Sequence, residues 1–272
     1  HLLADVQLLP LFKKQIQIDE FDIRRVKVNT TNFIPSVNIK GNVGRINLQA
    51  HGIDLTKENV NVDNVILQDG NLSIFLSDTV PPDTTPNTNH WKINVAQMKI
   101  DRTRLDLHMP GDTLEVKAGM GDVALTNTHF DLFKGLYKAG HIDWKNGWVN
   151  YDNNFEIKQK GLDFNHLAFG DMTVVADSFS YCDSRLDIIL RECRLKEKCG
   201  LAVENLTGPF GLDSTRLWLP KLFLRTPESE LQAQVNMDMD AFADHHPGKL
   251  NLVVHGFIGK QDLLLFMKDT PE

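Results

Sequence analysis

The strongest constraint in this chain is a spacing rule: apolar residues recur at offsets 0, 2, 5, 7, 12 and 14 from a moving start. One copy comprises Val60, Val62, Val65, Leu67, Leu72 and Ile74, and the next comprises Ile93, Val95, Met98, Ile100, Leu105 and Leu107. A third comprises Val174, Ala176, Phe179, Tyr181, Leu186 and Ile188. A fourth, Leu217, Leu219, Leu222, Leu224 and Leu231, misses only at Ser229, and an early variant runs Ile16, Ile18, Phe21, Ile23 and Val28. Steps of two keep side chains on one face of a strand, whereas the odd step from offset 2 to offset 5 would flip the face. A β-bulge or tight bend at that step resets the phase and adds local twist. Between offsets 7 and 12 stand "QDGN", "DRTR", "CDSR" and "RTPE", all rich in turn formers. Each unit therefore reads as a bent strand, a four-residue turn and a returning strand.

The starts at 60, 93, 174 and 217 are too irregular for a solenoid or propeller. Between them "SVNIKGNVGRINLQA", "TLEVKAGMGDVALTN", "HIDWKNGWVNY", "FEIKQKGLDF" and "KLNLVVHGFIG" alternate in the same way, often around glycine-containing turns. "KGNVGR" reads as a hairpin turn, since no helices flank it as a nucleic-acid GxxG loop requires. "GMGD" lacks the remaining features of a dinucleotide fingerprint and reads as a bend or bulge. Helical periodicity is confined to Leu2 to Lys14, a turn or two around "HFDLFKGLYK" and a short "DAFAD" segment. The tract from 77 to 90, with three prolines, reads as a mobile surface loop within a single elongated unit spanning 1–272. The sum is an all-β chain of about eighteen strands, ~85 Å long if all stack along one axis. Each strand has one apolar face and almost no helix to cover it, so that face packs on a second sheet, closes into a barrel or curls around a groove.

The chain has 272 residues, 42% of them hydrophobic and 24% charged, with a net charge of -7. That charge, with Lys and Arg scattered, argues against a nucleic-acid partner. The longest apolar runs, such as "LLLF" at Leu263 to Phe266, are far shorter than the roughly 20 residues of a membrane-spanning helix. "HLLADVQLLPLFKK" carries no secretory signal pattern, and the two ends look like the boundaries of a piece of a longer protein. Cys182, Cys193 and Cys199 lack zinc-site spacing and read as buried free thiols, with a Cys193–Cys199 bridge across a hairpin as the alternative. Asp238, Asp240, Asp244, His245 and His246 are dense enough to hold a metal, but their spacing matches no metal site and reads as a capped helical turn in a surface loop. No nucleophile, zinc-hydrolase or phosphate-loop motif occurs, so the expectation is a non-enzymatic protein without catalytic residues, metal or cofactor. Trp91, Trp144, Trp148 and Trp218 read as packing residues, with lining a lipid path or marking its edges as the alternative.

The lead-in "LPLFKKQIQIDEFDIRRVKVN", the bent-strand units and the closing "GKLNLVVHGFIGKQDLLLFM" resemble the AsmA-like proteins of the bacterial envelope, and most closely the TamB-type translocation and assembly proteins of Bacteroidetes. The resemblance implies a long, mostly antiparallel curved sheet, a β-taco whose apolar groove carries glycerophospholipids through the periplasm between inner and outer membrane. It also implies partnership with a TamA-like outer-membrane barrel. The family's N-terminal anchor and C-terminal β domain are not recognisable here, so inner-membrane anchoring falls outside this segment. On this reading the partners are phospholipid acyl chains, and the apolar residues of the first three copies, Ala176 aside, line the groove. Two other functions compete: an assembly scaffold that binds client strands at a sheet edge by β-augmentation, and a glycan-binding or adhesive β-protein.

Overall fold

Strict alternation interrupted by phase resets produces strands far longer than the usual five or six residues. The computed structural model describes residues 2–7, 15–34, 37–76, 90–109, 113–157, 160–241, 245 and 247–267. Its strands are β1 (Leu2–Gln7), β2 (Gln15–Ile34), β3 (Val37–Asp54), β4 (Asn59–Leu76), β5 (Lys92–Met109), β6 (Leu114–Asp131), β7 (Leu136–Asn153), β8 (His166–Cys182) and β9 (Arg185–Glu197). They continue with β10 (Ala202–Val203), β11 (Asn205–Leu212), β12 (Arg216–Arg225), β13 (Glu230–Asp238) and β14 (Leu250–Phe257), followed by a helix, α1 (Lys260–Met267). All belong to one curved, open sheet in which neighbours follow chain order, except that β10 pairs only with β9. Thirteen strands lie on the main path, so the sheet extends ~58 Å at ~4.8 Å per step.

Every neighbouring pair is antiparallel except β4 and β5, which run parallel with a constant offset, Val60 on Ile93 through Phe75 on His108. Those strands carry the first two copies of the spacing rule. Parallel strands can share a continuous ladder only if both reset their phase at the same positions, and this accounts for the exact match between the copies. The chain leaves β4 at one end of the sheet and enters β5 at the other.

The resets form two levels across the sheet. At the first, ladder pairing skips Asp63, Ala96, Asn127, Gly140 and Ser178 in β4 to β8. At the second it skips Arg25, Gly44, Asp69, Arg102, Gly121, Asn146 and Asp171 in β2 to β8. Arg25, Asp69, Arg102, Asn146 and Asp171 have φ of 59°, 54°, 44°, 53° and 50°. That left-handed conformation costs about 1 kcal/mol per residue and here turns the pleat without reversing the chain. Neighbouring strands take the extra residue together, so pairing resumes in nearly the same register on either side.

The second level corrects the turn expected between offsets 7 and 12. "QDGN" and "DRTR" lie inside the unbroken β4 and β5, whereas "CDSR" and "RTPE" are true turns joining β8 to β9 and β12 to β13. Asp, Asn and Gly suit a left-handed residue in a bulge as well as in a turn, so composition alone does not separate the two. The same reason removes the hairpin expected at "KGNVGR", which lies within β3, and brings about eighteen expected strands down to fourteen among the described residues. "GMGD" falls at the second reset level, in keeping with a bulge.

Other local expectations fare unevenly. Leu2–Gln7 is strand rather than helix, and the remainder of that lead-in lies outside the described residues. "HFDLFKGLYK" contains a turn over 132–135 instead of a helix, and "FEIKQKGLDF" forms no strand among its described residues. The helix α1 was not anticipated: its Leu-Leu-Leu-Phe run has neither clear period. Residues 77–89 of the expected loop, and 242–244 of the "DAFAD" segment, lie outside the described residues.

Two glycines mark where the second level is tightest. A Cβ on Gly121 would stand 2.3 Å from the Asn146 carbonyl oxygen, and one on Gly44 would stand 2.8 Å from Cβ of Asp69. Gly170 has open space around it. Gly121→Ala is therefore expected to destabilise the protein by about 1–3 kcal/mol and Gly170→Ala by well under half of that, measured by urea unfolding of the two variants.

Candidate functional site

The two reset levels place the whole spacing rule on one face. Directly paired residues share a face, and the register links them into rows that run across the sheet. One row reads Ile53, Val60, Ile93, Phe130, Tyr137, Tyr181, Leu186, Leu212, Leu217, Met237 and Leu250, from β3 to β14. The next row contains Ala50, Val62, Val95, Thr128, Ala139 and Phe179, and the third Leu48, Val65, Met98, Leu125, Ile142, Ala176 and Leu190. A fourth runs Ile46, Leu67, Ile100, Val123, Trp144, Val174 and Cys193. Beyond the second reset level come Gly41, Leu72, Leu105, Ala118, Val149 and Phe169, then Ile39, Ile74, Leu107, Val116, Tyr151 and Leu167. Ile188 lies between Leu186 and Leu190 and pairs with Phe210. All seventeen candidate lining residues thus lie on a single face.

Sequence reading missed one row, Val43, Gly70, Thr103, Met120, Gly147 and Met172, at offset 10. Its members in the first two copies are Gly70 and Thr103, which break an apolar frame. Knowing that Asp69 and Arg102 carry the extra residue would have recovered it.

No second layer covers this face among the described residues. The candidate lining residues are mostly half-buried; Val62 and Val95 are buried, and Tyr181 is exposed. Ten apolar residues of the described chain are buried, and most are Ala or Val. The protein exposes 17325 Å², where a compact globule of this length exposes about 12,000 Å². The face therefore retains apolar surface that an ordinary core would hide.

Two threonines on the face are turned back on the sheet. Thr128 Oγ1 donates to the Val95 carbonyl at 3.2 Å, and Thr103 Oγ1 donates to the Asp101 carbonyl at 3.0 Å while accepting from the Gly70 N–H. Trp144 Nε1 is buried without a partner. Cys193 stands beside Val174, where burial pushes its thiol up and keeps it protonated at neutral pH. Cys182, Cys193 and Cys199 are all free, so no bridge joins Cys193 to Cys199.

The opposite face is a ladder of charged and amide groups. Asp22 accepts from Arg45 on β3, Asn94 donates to Asn61 and meets His129, and Arg102 pairs with Asp69 across the parallel strands. Asp177 is held between His141 at 2.7 Å and Arg191 at 2.6 Å. Trp148 folds over Gly119 and Trp218 over Gly211, both on this polar side, which corrects any role for these two indoles in lining the apolar face. Their outer surfaces meet Arg104 and Arg185.

Of the dense Asp–His segment, Asp238 accepts from the Lys249 N–H, while Asp244 and His246 lie outside the described residues. Among the described residues no group of three His, Cys, Asp or Glu side chains converges to hold a metal, and no helix is long and apolar enough to cross a membrane. Comparison with known proteins gives no matching family model and no match among curated proteins.

Hydrogen bonds from Arg45, Arg102 and His141 pull the Asp22, Asp69 and Asp177 carboxyls below the ordinary aspartate range. A carboxyl whose folded pKa is depressed stabilises the fold above its unfolded pKa and loses that contribution as pH falls through the folded value. Thermal unfolding followed against pH should therefore show a plateau near neutrality and a decline below about pH 4. Added salt should shrink the difference, most of all the part due to Asp69, whose side chain is 56% exposed.

Proposed function

We propose that this protein is a non-enzymatic conduit for glycerophospholipid acyl chains, of the AsmA-like, TamB-type kind that its sequence resembles. It would work in the periplasm as part of a longer chain anchored in the inner membrane and would meet a TamA-like barrel at the outer membrane. The observation that carries this reading is the uncovered apolar face, continuous across the sheet and backed by a polar one. An acyl chain of about fifteen methylenes costs roughly 12 kcal/mol to hold in water at ~0.8 kcal/mol each. A continuous apolar track removes most of that barrier and needs no reactive group. The side chains along the track are mostly hydrocarbon, with polar atoms confined to a few Thr, Tyr and Trp positions, which suits a ligand that is hydrocarbon and slides.

Mass spectrometry of an organic extract of the purified protein should reveal bound phospholipid. Ile100→Asp or Phe179→Asp, each placing a carboxylate on the face, should reduce lipid transfer between vesicles at least about tenfold while leaving the protein folded. Lipid-free native protein, or transfer unaffected by both changes, would count against the conduit.

A second reading is favoured by one observation. All eight residues of the edge strand β14 are exposed, and it carries no charge and no proline. Edges of that kind accept further strands. If the protein assembles clients by strand addition, Val253→Pro should abolish capture of an extended peptide, and Ile100→Asp should leave it intact.

A further inference from the structure

The helix α1 is oriented against the usual rule. Its carboxylate Asp262 is buried, accepting from the hydroxyls of Thr226 and Ser229 in the β12–β13 turn, while Leu263, Leu264 and Phe266 are 43%, 40% and 57% exposed. Further bonds fix this orientation. Gly259 N–H donates to Ser229 Oγ, Gln261 N–H donates to a Glu228 carboxylate oxygen, and Leu162 N–H donates to the Leu265 carbonyl. A helix free to roll would turn its leucines inward, but these contacts hold them in water.

The last of these bonds joins α1 to the connection between β7 and β8, and that connection does the same thing. Phe155, Ile157 and Phe164 are 63%, 66% and 64% exposed. Asn153 N–H donates to the Asn165 carbonyl, which brings the two ends of the connection together. Tyr151 and Leu167, immediately inside it, belong to the outermost row of the apolar face. Two separate segments thus present large apolar side chains at the same end of the sheet, where the apolar face runs out.

The chemistry of this rim selects its occupant. Its exposed large apolar side chains are Phe, Leu and Ile, and Arg225, at this end, is engaged with Glu204. The exposed side chains of Lys160 and Lys260 flank it, and among the described residues neither has a carboxylate partner. Most acids of the same end are held by the fold: Glu197 accepts from the Ala168 and Cys199 N–H groups, Glu204 pairs with Arg225, Glu228 accepts from Gln261, and Asp152 lies 3.6 Å from His166 Nε2. Among the described residues Glu156 is the exposed acid of that end without such a partner. Hydrocarbon side chains flanked by free ammonium groups match an anionic lipid surface.

We propose that the α1 end of the sheet is a membrane-docking rim, inserting Leu263, Leu264 and Phe266 together with Phe155, Ile157 and Phe164 among lipid acyl chains while Lys160 and Lys260 meet the headgroups. This deepens the conduit reading and rests on it for its purpose, since it places the strand-end margin of the apolar face against a bilayer.

The test is co-flotation of the whole chain with vesicles of phosphatidylethanolamine and phosphatidylglycerol. The unaltered protein should float. Leu264→Glu combined with Phe266→Glu should weaken partitioning at least about tenfold without lowering the melting temperature, because both side chains already face water. Lys160→Gln and Lys260→Gln should each cost about fivefold on these vesicles and nothing on phosphatidylcholine alone. Unaltered protein that stays at the bottom of the gradient, a double-Glu variant that floats as well as its parent, or rim-dependent self-association without flotation would each overturn the proposal, the last in favour of a protein interface. Lipid loading measured by native mass spectrometry separates the two readings. The rim variant should load normally, and Ile100→Asp should float normally without loading; flotation with no loading in any protein would leave the rim standing and remove the conduit.

Discussion

Everything in this structure depends on neighbouring strands changing phase together. A β-strand of eighteen residues cannot stay straight and keep one face apolar while the sheet twists beneath it. Here β4 to β8 take in extra residues at two levels, each neighbour at the same height, and β2 and β3 join them at the second. Were a single strand to omit its extra residue, half its apolar side chains would move to the charged side, and the polar ladder would be carried onto the apolar one. The left-handed conformations at Arg25, Asp69, Arg102, Asn146 and Asp171, and the glycines at 44 and 121 between them, are the local cost of that agreement.

This explains what could be read from the chain and what could not. The periodicity of Val60 to Ile74 and its repeat at Ile93 to Leu107 disclosed the fold class and the common face of all the candidate lining residues. It disclosed the first reset level too, because two apolar residues on either side of Asp63 or Ala96 betray the change of phase. The second level was misread as a turn. Its signature residues, Asp-Gly and Arg-Thr in the two copies, leave no apolar residue at offset 10 to show that the strand continues. Backbone reversal is decided by which partner the following residues find, and a local window holds no information on that. The parallel pairing of β4 with β5 was legible in hindsight, since two identically spaced copies are what a parallel ladder demands. The inverted α1 was not legible: its orientation follows from Thr226 and Ser229, more than thirty residues upstream.

The two faces divide the work of stability. On the polar face, pairs such as Asp22–Arg45 and Asp177–Arg191 are partly exposed and individually weak, but they discriminate between neighbours and help specify strand order. On the other face, side chains touch along rows while, among the described residues, no second layer covers their outer surfaces. The hydrophobic contribution per residue is correspondingly smaller than in a closed core, and cohesion falls to the continuous backbone ladder. An arrangement of this kind leaves the apolar side accessible without requiring the sheet to open.

The constant offset between β4 and β5 has an architectural corollary. Since the level of each reset is common property of the sheet, any additional hairpin written to the same spacing can be spliced between existing strands without disturbing those on either side. Each such insertion would lengthen the array by ~10 Å and leave its cross-section unchanged. The reach of a protein built this way is therefore a matter of copy number, adjustable in evolution by duplication.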